Sequence, residues 1–266
     1  MQHTPAAVLP DDLTSYDLLK TLALILMLID HVGAYFFPEQ AGWRIFGRIS
    51  FPIWLFLVGY SNTRTIPWTL VAGAVVLAAS SFVVGEPIFP LSVLVTIIVA
   101  RLCKIPCADF AFPGIGRMLV TAVLLTALVW PSLFAFEYGA LGMLFALYGH
   151  AVRHRSGDSR GAPGVRVFMP LSALAYIGYQ QLYFRFSLLD GLTMAAGVIA
   201  IGLLLGLFES HRYARLTAAL PTAMTAVLKL TGRRTLEVYV IHLLAFKVLA
   251  ALLYPERHSL FELHWY

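Results

Sequence analysis

The sequence predicts an all-α polytopic integral membrane protein whose helices form one bundle. Composition is the first indication, because 59% of the 266 residues are hydrophobic and only 12% are charged. Soluble globular proteins carry roughly 45–50% apolar and about 25% charged residues. The mean hydropathy of +0.79 and a series of long apolar runs point to the same class. These figures exclude a disordered chain, a coiled coil, a secreted disulfide scaffold and a nucleic-acid-binding domain.

Apolar runs long enough to cross a bilayer recur along the chain. A membrane-spanning helix needs about 20 mostly apolar residues. We therefore predict about nine spans, with eight to ten allowed, in a single domain over residues 1–266 with tails at 1–16 and 255–266. The predicted spans cover residues 18–37, 45–61, 66–84, 88–102, 115–131, 133–151, 167–184, 191–208 and 235–254. The run 213–230 contains Pro221 and is left open as an interfacial helix or a tenth span.

Basic residues are concentrated in alternate connections between the predicted spans. The connections near 101–114 and 152–166 are basic, as is the segment before the last span, whereas those near 85–87 and at 132 contain no Lys or Arg. Basic connections stay on the cytoplasmic side of a membrane. We therefore expect a cytoplasmic N-terminal tail, and we interpret the net charge of +5 as a topology signal and not as a sign of a nucleic-acid partner.

The first predicted span carries three ionisable residues, Lys20, Asp30 and His31. Such groups are costly inside a bilayer unless they are paired or hydrated, so each is a candidate functional residue. Lys20 and His31 share nearly one helix face, with a rise of about 16 Å between them. Asp30 points about a quarter-turn away and needs a partner on another helix. A snorkelling Lys20 and an interfacial His31 are the structural alternative.

Arg44 and Arg48 lie one helical turn apart near the start of the second predicted span. Two neighbouring guanidiniums repel unless an anion or a carboxylate lies between them. Asp30 and Glu137 are the candidate internal partners, and a purely structural ion pair is the alternative. Pro52, four residues after Arg48, leaves a backbone carbonyl without its helical donor, which predicts a kink beside a cavity.

The last predicted span places Tyr239 and His242 on one face, because they are three residues apart. A polar ring near the middle of a membrane needs a partner, and helix-to-helix hydrogen bonding is the structural alternative to a functional role. Arg233 and Glu237 are four residues apart and can pair.

Cys103 and Cys107 are predicted to lie in a short loop with Pro106 between them. Their spacing is not that of a metal or redox motif. The sequence also contains no P-loop, dinucleotide fingerprint, zinc-protease motif or nucleophile elbow. We expect two ordinary thiols and no metal.

The pattern DLLKTLALILMLIDHVG, followed by GRISFPIWLFLVG, resembles the TraX family of membrane proteins. The segments FEYGALGMLFALY and GRRTLEVYVIHLL are similar to later parts of that family. The family is associated with N-terminal acetylation of conjugative pilin and includes fimbrial-assembly homologues. The resemblance implies a bacterial inner-membrane acetyltransferase that uses acetyl-CoA.

A more distant similarity, to the type 3 membrane acyltransferases, implies roles for individual residues. Their first span carries an Arg followed about ten residues later by a His, and here Lys20 and His31 stand in those places. Lys keeps the charge but loses the bidentate geometry of Arg. The implied roles are a general base for His31 with Asp30 orienting it, CoA-phosphate binding for Lys20, and oxyanion or substrate binding for Arg44, Arg48, Glu137, Tyr239 and His242.

Two other function classes fit the same residues. Buried charges are typical of a proton- or solute-coupled transporter, although the matching halves with interrupted helices seen in many transporters are not found. A non-catalytic membrane scaffold for pilus or envelope assembly is the third class. The acyl acceptor, whether pilin, glycan or lipid, and the oligomeric state are left open, and the bilayer is the one partner that the sequence predicts directly.

Overall fold

The computed structural model describes residues 11–155 and 161–266, and within these ranges the regular structure is helical. Residues 1–10 of the predicted N-terminal tail and 156–160 of a predicted basic connection lie outside the described residues. The helices are α1 (Ser15–Phe36), α2 (Ala41–Gly47), α3 (Ser50–Tyr60), α4 (Trp68–Val84), α5 (Val93–Ala111), α6 (Ile115–Ala127), α7 (Val129–Leu133), α8 (Leu141–His154), α9 (Gly161–Phe184), α10 (Leu188–Gly206), α11 (Ala214–Ala219), α12 (Thr222–Arg233) and α13 (Thr235–Leu253).

The helices confirm the all-α membrane class. Three of them, α1, α10 and α13, are long and apolar enough to cross a bilayer, and α4 and α6 are shorter apolar helices. The count of about nine spans stays a prediction. The open run 213–230 forms the short helices α11 and α12. The longer of these, α12, has 12 residues, and its rise of about 18 Å cannot cross a hydrocarbon core of about 30 Å.

The basic connection predicted near 101–114 is wrong, because α5 continues through it to Ala111. Cys103 and Cys107 therefore lie on a helix, with Pro106 inside it. Lys104 is fully buried, and its ammonium donates to the carbonyl oxygens of Val58, at 3.0 Å, and Ser61. These carbonyls lie at the C-terminal end of α3, where unpaired acceptors and the helix dipole favour a cation. Lys104 thus supports α3, and its charge is not an exposed topology signal.

The second predicted span, 45–61, is divided into α2 and α3 at Arg48 and Ile49. Pro52 has no N–H to donate to the carbonyl of Arg48. That carbonyl accepts instead from the Phe51 N–H at 3.3 Å and from the hydroxyl of Tyr176, on α9, at 2.7 Å. The break expected from Pro52 is therefore confirmed, and a side chain from another helix helps to satisfy the acceptor it frees.

Glycines allow the helices around this break to pack backbone to backbone. A Cβ atom on Gly47 would lie 2.3 Å from the Cα atom of Asp30, so α2 touches α1 directly at that carboxylate. A Cβ atom on Gly59 would lie 1.8 Å from the carbonyl oxygen of Ala146, which brings α3 equally close to α8. Small residues at crossings are how membrane helices approach closely.

The two ends of the bundle are held by different contacts. At the end that contains Lys20, called the Lys20 end, Arg233 lies 3.3 Å from Asp17. Glu237 pairs with Arg234 at 3.0 Å, and not with Arg233, the partner that the four-residue spacing allowed. At the opposite end, called the His31 end, the C-terminal tail lies on the connection after α4, where Ile88 N–H donates to the His264 carbonyl at 2.9 Å.

We predict that Gly47→Ala destabilises the bundle, since the added methyl group meets backbone atoms that cannot move aside. Overpacking of this kind costs about 1–3 kcal/mol, and thermal unfolding of the purified protein in detergent measures it. Gly42→Ala is the matched control on the same helix, because its Cβ atom would meet nothing within 4 Å. Equal melting temperatures for the two variants would contradict the close α1–α2 contact.

Candidate active site

A buried cluster of charges joins α1 to the α2–α3 break. Arg44 Nη1 lies 3.1 Å from Asp30 Oδ2 and also donates to the Asp30 carbonyl at 2.9 Å. Arg48 Nε lies 3.3 Å from Asp30 Oδ1. The Asp30 side chain is 7% exposed and each arginine side chain 14% exposed. Asp30 is therefore the internal partner that the sequence required for both guanidiniums.

Arg44, Arg48 and Asp30 together carry one more positive charge than negative charge, and the Glu137 carboxylate lies close enough to interact electrostatically with both arginines without forming an ion pair. Asp30 Oδ1 and Arg48 Nε are close enough for an ion pair, but they are not aligned as a hydrogen bond and have no other hydrogen-bond partner among the described residues. A buried site with spare donors and a net positive charge favours an anion or a developing negative charge. Both arginines therefore have the chemistry of an oxyanion or acceptor site.

Aromatic rings surround the two guanidiniums, and the sequence analysis did not single them out. The Phe184 ring centre lies 5.2 Å from Arg44 Cζ and 5.0 Å from Arg48 Cζ, which is cation–π distance. The Tyr138 hydroxyl accepts a short hydrogen bond from Arg48 Nη1, and its ring stacks on Phe51 with ring centres 3.8 Å apart. The sequence feature that could have indicated Tyr138 is the FEYG segment, in which a Tyr before a Gly occupies a turn.

The backbone at Tyr138 has a φ of +61°, in the left-handed region. A non-glycine residue held there costs of order 1–3 kcal/mol and persists only where its surroundings fix it. Here the stacking on Phe51 and the hydrogen bond to Arg48 fix it. The strain thus orients a phenol toward the charged cluster.

Glu137 does not pair with Arg44 or Arg48 in the structure. Its carboxylate accepts a hydrogen bond from the N–H of Val93 at 3.0 Å, at the start of α5. A carboxylate at a helix N-terminus is stabilised by the unpaired N–H groups and the helix dipole. The expectation that Glu137 is a partner of the arginines is therefore wrong, because the free donor of α5 lies closer to it in the fold.

His31 and His242 form a hydrogen-bonded pair between α1 and α13. His31 Nδ1 lies 2.8 Å from His242 Nε2, and the ring centres are 5.0 Å apart. His242 Nδ1 lies 2.9 Å from the Val238 carbonyl oxygen, one turn earlier on α13. Tyr239 packs against both rings, with centre distances of 6.1 and 5.7 Å. The structure thus brings together three residues that the sequence analysis placed on two separate spans.

A cavity of about 240 Å³ runs between α1, α3, α4, α5 and α13. Lys20 and Arg101 line it, together with Thr235 at the first residue of α13. Tyr239 also lines it, and its ring packs against both histidines. The remaining lining is largely apolar and includes Met27, Trp54, Leu57, Val58, Leu70, Leu94 and Ile97.

Lys20 and Arg101 provide two cations near the Lys20 end of this cavity. Arg101 was interpreted only as a topology signal, but its guanidinium lies over the α3–α4 connection, where it donates to the Thr65 carbonyl at 3.0 Å. Within residues 11–155 and 161–266, the Lys20 ammonium forms no ion pair or hydrogen bond, since the nearby Asp17 is engaged by Arg233. Two cations beside an apolar cavity suit a ligand that has an anionic head group and a slender apolar arm.

A second cavity, of about 450 Å³, lies between α5, α7 and α8 and contains none of the predicted site residues. Both cysteines line it, and both are free thiols. In the part of the chain that the structure describes, no group of three or more His, Cys, Asp or Glu residues could hold a metal ion.

The family model described as TraX protein matches residues 15–250. The chain belongs to the TraX family. The match covers the whole constellation described above, from Lys20 and His31 on α1 to His242 on α13.

An uncharacterized protein of Rickettsia prowazekii (strain Madrid E) is similar to this TraX-family chain, with 28% identity over 167 residues. The alignment covers 60% of this chain and 65% of the relative, so it spans slightly less than two thirds of the relative's length. No solved structure matches the chain.

We predict that Asp30→Asn lowers the thermal stability of this TraX-family protein. The substitution removes the single negative charge between Arg44 and Arg48 and leaves two buried cations facing each other. Breaking a buried pair in this way costs about 3–5 kcal/mol, which thermal unfolding in detergent measures. Asp109→Asn is the matched control, because Asp109 is an exposed carboxylate on α5. If Asp30→Asn melted at the wild-type temperature, the claim that the buried Asp30 charge is needed between the two arginines would be contradicted.

Proposed function

We propose that the chain is an integral membrane acetyltransferase that moves an acetyl group from acetyl-CoA to an amine or hydroxyl of an envelope acceptor, such as a pilin N-terminus or a surface glycan. One observation carries the proposal: a cavity lined by two cations, Lys20 and Arg101, extends to Tyr239, whose ring packs against the hydrogen-bonded His31–His242 pair. TraX-family membership and the membrane-like helices give the coarser setting, a membrane protein with a pilus- or envelope-related function.

The cavity dimensions fit acetyl-CoA in a defined direction. A volume of about 240 Å³ accommodates a slender arm but not a complete nucleotide. The phosphates would therefore remain at the Lys20 end beside Lys20 and Arg101, and the arm would extend toward Tyr239. We propose that this end faces the cytoplasm of a bacterium, in the inner membrane, because the basic connections gather there and acetyl-CoA is a cytoplasmic compound.

Bound acetyl-CoA would supply an activated acetyl group as a thioester. His31 would accept the proton of the acceptor amine or hydroxyl as that atom attacks the carbonyl carbon. Arg44 and Arg48 would stabilise the negative charge that develops on the carbonyl oxygen, since their cluster has a net positive charge. His31 would then return the proton to the leaving sulfur. Direct transfer and an acetylated His31 are both compatible with this arrangement.

A proton- or solute-coupled transporter is the alternative that the buried charges also favour. Acetyl-CoA turnover by the purified protein, measured as release of the CoA thiol, supports the acetyltransferase. Solute uptake into proteoliposomes without any such turnover supports the transporter. Mass spectrometry of envelope proteins and glycans, with and without this chain, identifies the acceptor through the missing acetyl mass.

For the cofactor, we predict that Lys20→Ala weakens acetyl-CoA binding about tenfold, because one charged contact to a phosphate is worth roughly 1.5 kcal/mol. Lys20→Arg should keep or improve the affinity, since Arg binds phosphate with two parallel donors. Isothermal titration with acetyl-CoA measures both. Lys229→Ala, on α12 outside the cavity, is the matched lysine control. Unchanged affinity in Lys20→Ala would reduce Lys20 to a snorkelling anchor.

For the base, we predict that His31→Gln lowers the turnover number by about 10²–10⁴-fold, the usual contribution of a general base. Gln keeps a hydrogen-bonding side chain but cannot accept the proton, so folding should be retained. His150→Gln, on α8, is the control for replacing a histidine elsewhere. Near-normal acetyl transfer by His31→Gln would move the base to another residue, and unfolding of both His31→Gln and His31→Ala in detergent would make His31 a packing residue.

A further inference from the structure

We propose that His242 is a positioning residue that fixes the tautomer of His31 and leaves the lone pair on His31 Nε2. The catalytic consequence rests on the acetyl transfer proposed above. The hydrogen-bond chain that supports the positioning role depends only on the distances in the structure. It runs from the Val238 carbonyl through the His242 ring to His31, with distances of 2.9 and 2.8 Å.

The chain has one consistent set of donors when both rings are neutral. The Val238 carbonyl can only accept, so His242 Nδ1 carries a hydrogen and donates to it. A neutral imidazole then has an unprotonated Nε2, which can only accept. His31 must therefore donate from Nδ1 to His242 Nε2. Its own Nε2 is left as the free base, which is the atom a general base requires.

Packing holds the two rings in this relation. Phe246 contacts the His242 ring edge to face, with centres 5.5 Å apart. Tyr239 packs against both histidines from the cavity side. His242 is 9% exposed, so solvent has little access to replace the hydrogen bond to His31. The orientation of His31 thus depends on α13 and not on its own helix.

Asp30 was expected to orient His31, but in the structure its side chain pairs with the two arginines. Its two carboxylate oxygens face Arg44 and Arg48. The carbonyl of Asp30 is also engaged, since it accepts from Arg44. In serine hydrolase triads an aspartate holds the tautomer of the histidine base. In this chain the neutral ring of His242 occupies the corresponding position.

The proton balance of the proposed step uses this arrangement. The O–H or N–H bond of the acceptor breaks, its proton joins His31 Nε2, and the acceptor atom bonds to the acetyl carbon. The C–S bond of the thioester then breaks, and the sulfur receives the proton from His31 Nε2. Throughout, His31 Nδ1–H keeps donating to His242, and this hydrogen bond strengthens while His31 is an imidazolium.

The test replaces the acceptor on His242 in two ways. His242→Phe keeps a ring of similar size but accepts no hydrogen bond. His242→Gln provides an amide oxygen that can accept from His31 Nδ1–H. We expect His242→Phe to lose about 10²-fold in kcat with an unchanged KM for acetyl-CoA, and His242→Gln to recover most of that loss. His150→Phe is the matched control on α8.

A spectroscopic measurement reads the tautomer without relying on activity. The ¹⁵N chemical shifts of His31 in the full-length protein should report a protonated Nδ1 and an unprotonated Nε2. In His242→Phe the Nε2–H form should gain population. If His242→Phe fails to fold, the same spectrum of the wild type and of His242→Gln still decides the donor assignment.

Each outcome has a separate meaning. A wild-type His31 with hydrogen on Nε2, or equal kcat losses in His242→Phe and His242→Gln, overturns the positioning role. Absence of acetyl transfer in the wild type together with the Nδ1–H tautomer overturns the proposed function and the catalytic use of His242, but confirms the hydrogen-bond chain. Tautomer change, kcat loss and rescue by Gln together support the inference.

Discussion

The contact between Asp30 and the two arginines of the α2–α3 break is the constraint on which the rest of the site depends. It neutralises one of two buried guanidiniums and leaves a net positive charge. It also requires α2 to touch α1, which the missing side chain of Gly47 permits. A buried ion pair gives little net stability, but removing one partner is costly. The cluster therefore fixes the relative position of α1 and α2 more than it adds free energy.

The break between α2 and α3 follows from the same region of sequence. Pro52 removes the donor for the Arg48 carbonyl, and Tyr176 replaces it from α9. Irregular backbone inside a membrane protein is tolerated where neighbouring helices satisfy the freed groups. As a result Arg48 points into the bundle among Phe184 and Tyr138. The break in this predicted span thus turns Arg48 toward α9 and the connection between α7 and α8.

The charged cluster and the histidine pair are two separate sets of contacts around neighbouring residues of α1. Asp30 holds the arginines, and His242 holds His31. The cavity extends from the Lys20 end to Tyr239, whose ring packs against both histidines.

The sequence alone determined the membrane class, the position of Lys20 and His31 on nearly one face of α1, and the need of Arg44 and Arg48 for a carboxylate. These follow from composition, helical periodicity and the cost of buried charge, which are local properties. Only the tertiary structure decided that Asp30 is the carboxylate that pairs with the arginines. It also decided that Lys104, on α5, donates to carbonyls at the end of α3, and that His242 lies within hydrogen-bond distance of His31. Those outcomes depend on distances between helices far apart in the chain, and charge and spacing along one helix carry no information about them.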